Sequence, residues 1–414
     1  MSPIKVIIGG DVCPTKRDES LFKQGNAAGL FHDLLEEFTT ADLAVVNLEF
    51  PLIEKPSPIR KTGPVLAAAP DCVNSLIKSR IKCLGLANNH ILDHGAMGLE
   101  NTLRVCSRAD LLTFGAGHNR EEAGTVLVVR VGNIRVGLLG IAEQEWSVAT
   151  ENSPGAYPLD PIHLVRTMQR SRGDYDFLIV LLHTGIEYYP FPTPGQMEMC
   201  RFIIEQGARM VICQHSHCAG CYESYHDGHI IYGQGNLIFD SPGRDQSWHE
   251  GFLVRLIINA NLDCHWQPVP YVQSEAQPGA VKMSVEKERN FLKTLSERSK
   301  ALQKPGRIEA EWDAYCAERH HYFMSCMLGH NRVLRRLNRN NGAVARLYPQ
   351  ERFMMLTNIL RCGIHRETAL TVLRHHFSRK QGPQNESNSA RASDIETATG
   401  RNVTADSGQE ASTA

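Results

Sequence analysis

What the chain lacks already excludes several function classes. No apolar run in its 414 residues reaches the roughly 18 needed for a membrane-spanning helix. The N-terminus, Met1 to Ile8, lacks the basic, apolar and small-residue zones of a signal peptide, so a cytoplasmic protein is expected. Neither sign of charge dominates. Lys and Arg number 44 against 45 Asp and Glu, a net charge of -1, so bulk charge points to no partner. There is no serine nucleophile elbow and no glycine-rich phosphate loop, which removes those two modes of catalysis. The 12 cysteines are scattered, a usage that fits reduced thiols better than a disulfide framework.

What is present is a series of polar clusters where apolar strands end. Lys5 to Gly9 is a short apolar run closed by Gly10-Asp11. Leu43 to Val46 runs into Asn47-Leu48-Glu49, and alternation puts Asn47 and Glu49 on one side. Ile81 to Leu86 ends in Asn88-Asn89-His90 and Asp93, before a helix from about 95 to 109. Asp176 to Leu182 ends in His183, and Arg209 to Cys213 ends in His215-Ser216-His217. In an extended segment the two rings of the H-x-H pair face one way. Gly132-Asn133 joins two β-rich runs and predicts a hairpin, so the sheets are not purely parallel. Ligand sites in open α/β sheets form at the carboxyl ends of strands. Imidazoles and carboxylates gathered there suit divalent transition metals. The competing reading is a cysteine nucleophile activated by histidine, because Cys13, Cys213, Cys218 and Cys221 lie near the clusters.

The ordered set Gly10-Asp11, Asn47-Leu48-Glu49-x-Pro51 and Ala87-Asn88-Asn89-His90-x-x-Asp93-x-Gly95 resembles the capsule-synthesis CapA family. Gly115-Ala116-Gly117-x-Asn119, His183-x-Gly185-x-Glu187-Tyr188, His215-x-His217 and Tyr232-x-x-Gly235-Asn236-x-x-Phe239-Asp240 extend the likeness over about residues 3–272. These are the poly-γ-glutamate capsule proteins, a branch of the calcineurin-like metallophosphatases. The resemblance implies a four-layer α/β/β/α sandwich and a site for two divalent metal ions (Mn, Fe or Zn). It also implies that Asp11, Glu49, Asn89, His183, His215 and His217 are ligands, that a hydroxide bridges the ions, and that His90 is the proton donor, oriented by Asp93. The sequence departs from the wider pattern at Cys13, where a histidine is usual, and at Glu49, where an aspartate is usual. Thr184, Gln214 and Ser216 replace the frequent Trp, His and Pro of the capsule family, whose classical members are membrane-anchored.

The function implied is metal-dependent phosphoester hydrolysis serving capsule or surface-polymer biosynthesis. The partner would be a phosphorylated or polyanionic small molecule or polymer, together with the surface-polymer synthesis machinery. The alternative is a non-catalytic, metal-containing polyanion-binding or assembly protein. Domains are expected at 1–275 (the metallophosphatase-like part), 280–380 (an all-helical extension with helices near 284–302, 308–326, 328–339, 349–361 and 366–378) and 381–414 (a disordered tail without aromatics). Arg332, Arg335, Arg336 and Arg339 recur at helical spacing without a recognition motif, so they read as a solvated face and no nucleic acid is expected.

Overall fold

The structure, a computed structural model, describes residues 3–61, 63–328, 333, 336 and 349–361. The chain divides into two compact units, Met1–Tyr315 and Cys316–Ala414. The first contains two β-sheets, with strands numbered in chain order. One sheet has β1 (Ile4–Cys13), β2 (Leu43–Leu48), β3 (Cys83–Gly85), β4 (Leu112–Phe114), β13 (Asn236–Phe239), β14 (Glu250–Ile258), β15 (Cys264–Gln273) and β16 (Ala280–Lys282). Its order is β16-β15-β14-β1-β2-β3-β4, with β13 also paired to β1. The other has β6 (Leu127–Val131), β7 (Ile134–Ala142), β9 (Phe177–Thr184), β10 (Met210–His215), β11 (Tyr222–Tyr225) and β12 (Gly228–Ile231). Its order is β11-β12-β10-β9-β7-β6. A short pair, β5 (Ala116–Gly117) and β8 (Gly155–Ala156), stands apart. The hairpin at Gly132-Asn133 is present, closing β6 on β7 with Val131 opposite Ile134.

Alternation along the strands builds the layers. Val6 and Ile8 of β1 join Val136, Ile179 and Ile212 of the other sheet in the core between the sheets. Ile7 points the opposite way, into a second core with Phe22, Leu30, Phe38, Leu76 and Leu99. These belong to the outer layer of α1 (Lys16–Gln24), α2 (Ala27–Phe31), α3 (Leu35–Thr39), α4 (Val73–Lys78) and α5 (Gly95–Arg108), with Phe38 and Leu30 on α3 and α2. On the far side, Leu139, Val180 and Val211 pack against α7 (Pro161–Ser171) through Leu164 and Met168, and against α8 (Pro194–Glu205) through Ile203 and Ile204. Helix, sheet, sheet, helix is the four-layer order.

Two short helices, α6 (Arg120–Ala123) and α9 (Gln246–His249), sit in the connections. The helical stretch between β1 and β2 is broken into separate helices. Gly25 ends α1 in the left-handed region (φ 66), and Asn26 caps α2 by accepting from Gly29 N. At the other end, α10 (Val285–Leu302) buries Leu295 in the core between the sheets and Leu302 in the outer core. The first compact unit therefore runs past 275, to Tyr315. Two further helices, α11 (Arg307–Leu328) and α12 (Gln350–Arg361), are described. Most of the helix expected at 328–339, the helix at 366–378 and the tail from 381 lie outside the described residues. No helix among the described residues is long and apolar enough to cross a membrane.

One carboxylate ties α3 to the sheet. Glu37, 5% exposed, accepts from Arg255 Nη2 at 2.6 Å, Lys282 Nζ at 3.1 Å and Lys5 Nζ at 3.2 Å. Burial alone would raise its pKa. The hydrogen bonds from Arg255, Lys282 and Lys5 outweigh burial and hold it at about 2. A carboxyl depressed in the folded state stabilises above its ordinary pKa, and that contribution is lost as the pH falls from about 4.5 toward 2. Glu37→Gln is expected to cost about 2–3 kcal/mol at pH 7, the partly exposed cations being screened. Guanidinium unfolding of both proteins at pH 7 and pH 3 checks this. The gap between them should shrink at pH 3, and an unchanged gap would deny the carboxylate this role.

Candidate metal centre

The centre lies where the carboxyl ends of strands from both sheets meet. β1 shifts register against β2 between Ile8 and Asp11, which turns Asp11 inward. Gly10 permits the close passage of the neighbouring turn, since a Cβ there would sit 2.1 Å from Gly235 O. Asp11, 1% exposed, accepts from Asn47 Nδ2 at 2.7 Å and from the His215 backbone N–H at 3.2 Å. Glu49 follows β2 and is fully buried. Its Oε2 accepts from Cys13 Sγ at 2.8 Å, while Oε1 has no hydrogen-bond partner. Asn89, beyond β3, places Oδ1 3.2 Å from His183 Nε2 on β9. Its carbonyl accepts from Ser147 Oγ at 2.7 Å and Lys61 Nζ at 3.2 Å.

His215 and His217 do not reach the centre by strand alternation. The pair turns instead through left-handed backbone, φ 92 at His215 and φ 53 at His217. Such conformations cost on the order of 1–3 kcal/mol each and persist where the surroundings impose them. The result sets the His215 and His217 rings 5.9 Å apart and the His183 and His215 rings 4.8 Å apart. His217 Nδ1 lies 2.8 Å from Asn236 Oδ1, a bond that fixes its Nδ1–H and leaves Nε2 as a lone pair 3.7 Å from Glu49 Oε1. His183 Nε2 is 3.8 Å from the same oxygen, and His183 Nδ1 is 3.9 Å from Asp11 Oδ1. Ligating atoms of Glu49, His215 and His217 all fall within 4.8 Å of one another. All six residues singled out as ligands are thus brought together.

The electrostatics suit a cation. Burial raises Asp11 to about 6, against the lowering effect of its bonds from Asn47 and His215. Burial, then the Asp11 charge, pushes Glu49 well above the carboxylate range. Burial, then the neighbouring imidazoles, holds His183 well below the usual value, and burial and His215 bring His217 down to about 3. Burial likewise lowers His215, although Glu145 opposes it. Three neutral imidazoles offer lone pairs beside two crowded carboxylates, and Glu49 Oε1 is a buried acceptor without a donor. Donor set and orphaned oxygen both fit a divalent ion.

Beside this cluster His90 Nδ1 lies 2.6 Å from Asp93 Oδ2. Asp93 also accepts from Lys61 Nζ at 2.5 Å and Leu66 N at 2.7 Å. Burial would raise Asp93, but the bonds from His90, Lys61 and Leu66 outweigh it and lower its pKa. Asp93 is no helix cap, because His94 occupies the N-cap of α5. Lys61 was not singled out as a site residue from the sequence. It sits in an irregular loop held by Ile59 N to Asp93 O at 2.9 Å and Ser57 N to His94 Nδ1 at 2.8 Å, and its side chain is 3% exposed. A lone lysine in a proline-rich loop carries no periodic signal. Asn236 was legible only within the glycine-asparagine motif.

The cysteine reading loses the thiolates of Cys13, Cys218 and Cys221. Cys13 is pushed well above its ordinary value by burial and then by Glu49, so it serves as a neutral donor. Cys218 and Cys221, a C-x-x-C spacing immediately after His217, are both buried, and burial drives Cys218 up to about 11 and Cys221 higher.

Residues 5–241 match the family described as "Bacterial capsule synthesis protein PGA_cap". The chain is similar to "Capsule biosynthesis protein CapA" of Bacillus anthracis, 26% identical over 303 residues, covering 70% of this chain and 72% of that protein. It is also similar to "PGA biosynthesis protein CapA" of Bacillus subtilis (strain 168), 25% identical over 297 residues, covering 70% and 77%. Among solved structures, a hypothetical protein from Thermus thermophilus aligns with a TM-score of 0.43 at 12% identity, over 65% of this chain and 99% of that one.

Proposed function

The chain belongs to the bacterial capsule synthesis protein PGA_cap family, and from that premise we propose that it serves capsule or surface-polymer synthesis as a metal-dependent phosphoester hydrolase. Asp11, Glu49, Asn89, His183, His215 and His217 would hold two divalent ions, of Mn, Fe or Zn. Bound ions supply charge that polarises a phosphoryl group and lowers the pKa of water. The observation that carries the reading is the unpaired Glu49 Oε1 among neutral imidazoles, next to a hydrogen-bonded His90–Asp93 pair.

The chain's own residues do the rest. Asp93 accepts from His90 Nδ1–H and fixes the ring, so that its doubly protonated form can give the Nε2 proton to the leaving oxygen and return to the neutral Nδ1–H form. His90, Lys61 and the Leu66 N–H together hold Asp93 as the ionised carboxylate. Ser147 Oγ, by holding the Asn89 carbonyl, sets the strand-to-helix turn on which both Asn89 and His90 sit. The substrate would be a phosphorylated or polyanionic molecule of the polymer pathway. A cytoplasmic setting is part of the same reading; the scattered cysteines of the sequence agree with it, and Cys200 and Cys213 share a hydrogen bond between their sulfurs at 3.5 Å.

Metal analysis of the purified chain, followed by p-nitrophenyl phosphate turnover with added Mn, tests the proposal. Bound divalent metal and chelator-sensitive hydrolysis are the expected results. Metal without turnover of any phosphoester would favour the non-catalytic polyanion-binding protein, and absence of metal after reconstitution would end both readings.

A further inference from the structure

A cavity of about 430 Å³ opens beside α6 and α7 and is lined in part by Arg120, His163, Arg166 and Arg170. Its volume lies in the range of about 300–1,000 Å³ of small-ligand clefts. Three permanently charged guanidinium groups converge there. Two carboxylates, Glu121 and Glu151, share the lining. Glu121 is engaged with Arg170 at 3.3 Å, an exposed and therefore weak pair. Among the described residues no carboxylate lies within ion-pair distance of Arg120 or Arg166.

Arg120 carries the argument. Its Nη1 meets the imidazole Nε2 of His163 at 2.7 Å rather than a carboxylate. Its Nε is buried and has no hydrogen-bond partner. His163 Nδ1 faces Asp160 Oδ1 at 3.2 Å, so that carboxylate is already engaged by the imidazole. A buried donor on a charged group left unpaired costs on the order of 1–3 kcal/mol or more. Guanidinium forks match the planar or tetrahedral oxygens of carboxylate and phosphate. The backbone is fixed, because Arg120 N donates to Thr150 O at 2.8 Å and Tyr157, also in the lining, bonds Thr167 at 3.0 Å.

We propose that this cavity is an oxyanion-binding site, separate from the candidate metal centre, which takes a phosphate- or carboxylate-bearing ligand on Arg120, Arg166 and Arg170. The segment after β7 joins the two places. Glu145 lies 3.9 Å from His215, Ser147 bonds Asn89, and a few residues further on Glu151 and Tyr157 line the cavity.

The test is calorimetric titration of the full-length, metal-free protein with inorganic pyrophosphate in one arm and citrate in the other. Saturable binding of either is expected, and the arm that binds identifies the oxyanion. Arg166→Gln, at an exposed position, should weaken it at least tenfold with an unchanged melting temperature. Arg120→Gln should do the same. His215→Ala should bind as wild type. No binding in either arm would overturn the proposal. So would full affinity in Arg166→Gln, or loss of affinity in His215→Ala, which would put the anion at the metal centre. Because turnover is not read, failure here is distinct from failure of the hydrolase reading.

Discussion

His215→Ala is expected to strip the protein of bound divalent metal and of all phosphoesterase activity. The ring is buried and its ligating atom groups with those of Glu49 and His217. Loss of an outer hydrogen-bond partner alone typically lowers metal affinity about 10–100-fold, and loss of a direct ligand should exceed that. The fold should survive. His215 adopts φ 92, so the substitution removes no favourable backbone geometry, and its N–H to Asp11 bond is kept. Metal content by mass spectrometry after equilibrium dialysis, together with the melting temperature with and without Mn, checks the claim. The Mn-dependent rise in melting temperature expected for wild type should be absent in the variant. A variant that still binds metal with wild-type affinity would show that His215 is not a ligand.

His90→Ala is expected to behave in the opposite way. Metal content should stay near wild type while turnover falls by on the order of 10²–10⁴, the usual contribution of a general acid. The geometry behind this is the 2.6 Å bond from His90 Nδ1 to an Asp93 carboxylate that Lys61 also holds. Substrates with acidic leaving groups need little protonation. The deficit should therefore be large for an alkyl phosphate and small for p-nitrophenyl phosphate. Equal deficits on both substrates would remove the proton-donor role, and metal loss equal to that of His215→Ala would make His90 a ligand.

Much of this centre was legible because strand ends announce themselves: apolar runs stop and polar residues begin. The pair at His215 and His217 does fall in the cluster, but on left-handed rather than extended backbone, because such a turn leaves no mark on an H-x-H spacing. Lys61 was hidden by a loop with no period. β15 was missed for a different reason. Pro268 and Pro270 argue against a strand, yet β16 pairs only from Tyr271 onward, so both prolines sit where that edge of β15 makes no ladder bond to β16. The helix expected near 284–302 is found as α10. Its composition does not reveal that Leu295 and Leu302 plug into the sheets' own cores, so the boundary at 275 falls inside the first compact unit.

The crossing of the two sheets at Asp11 bears on the order in which the molecule is made. The bond from His215 N to Asp11 spans 204 positions, and that from Gln214 to Gly9 spans 205. Asp11 and Glu49 leave the ribosome early, as acidic side chains whose burial is unfavourable until the imidazoles arrive. Contacts this distant in sequence form late, after the loop-closure entropy of the intervening chain has been overcome. The ion would then be captured only when the second sheet docks on the first, and a chain halted before His217 would have no place to keep it.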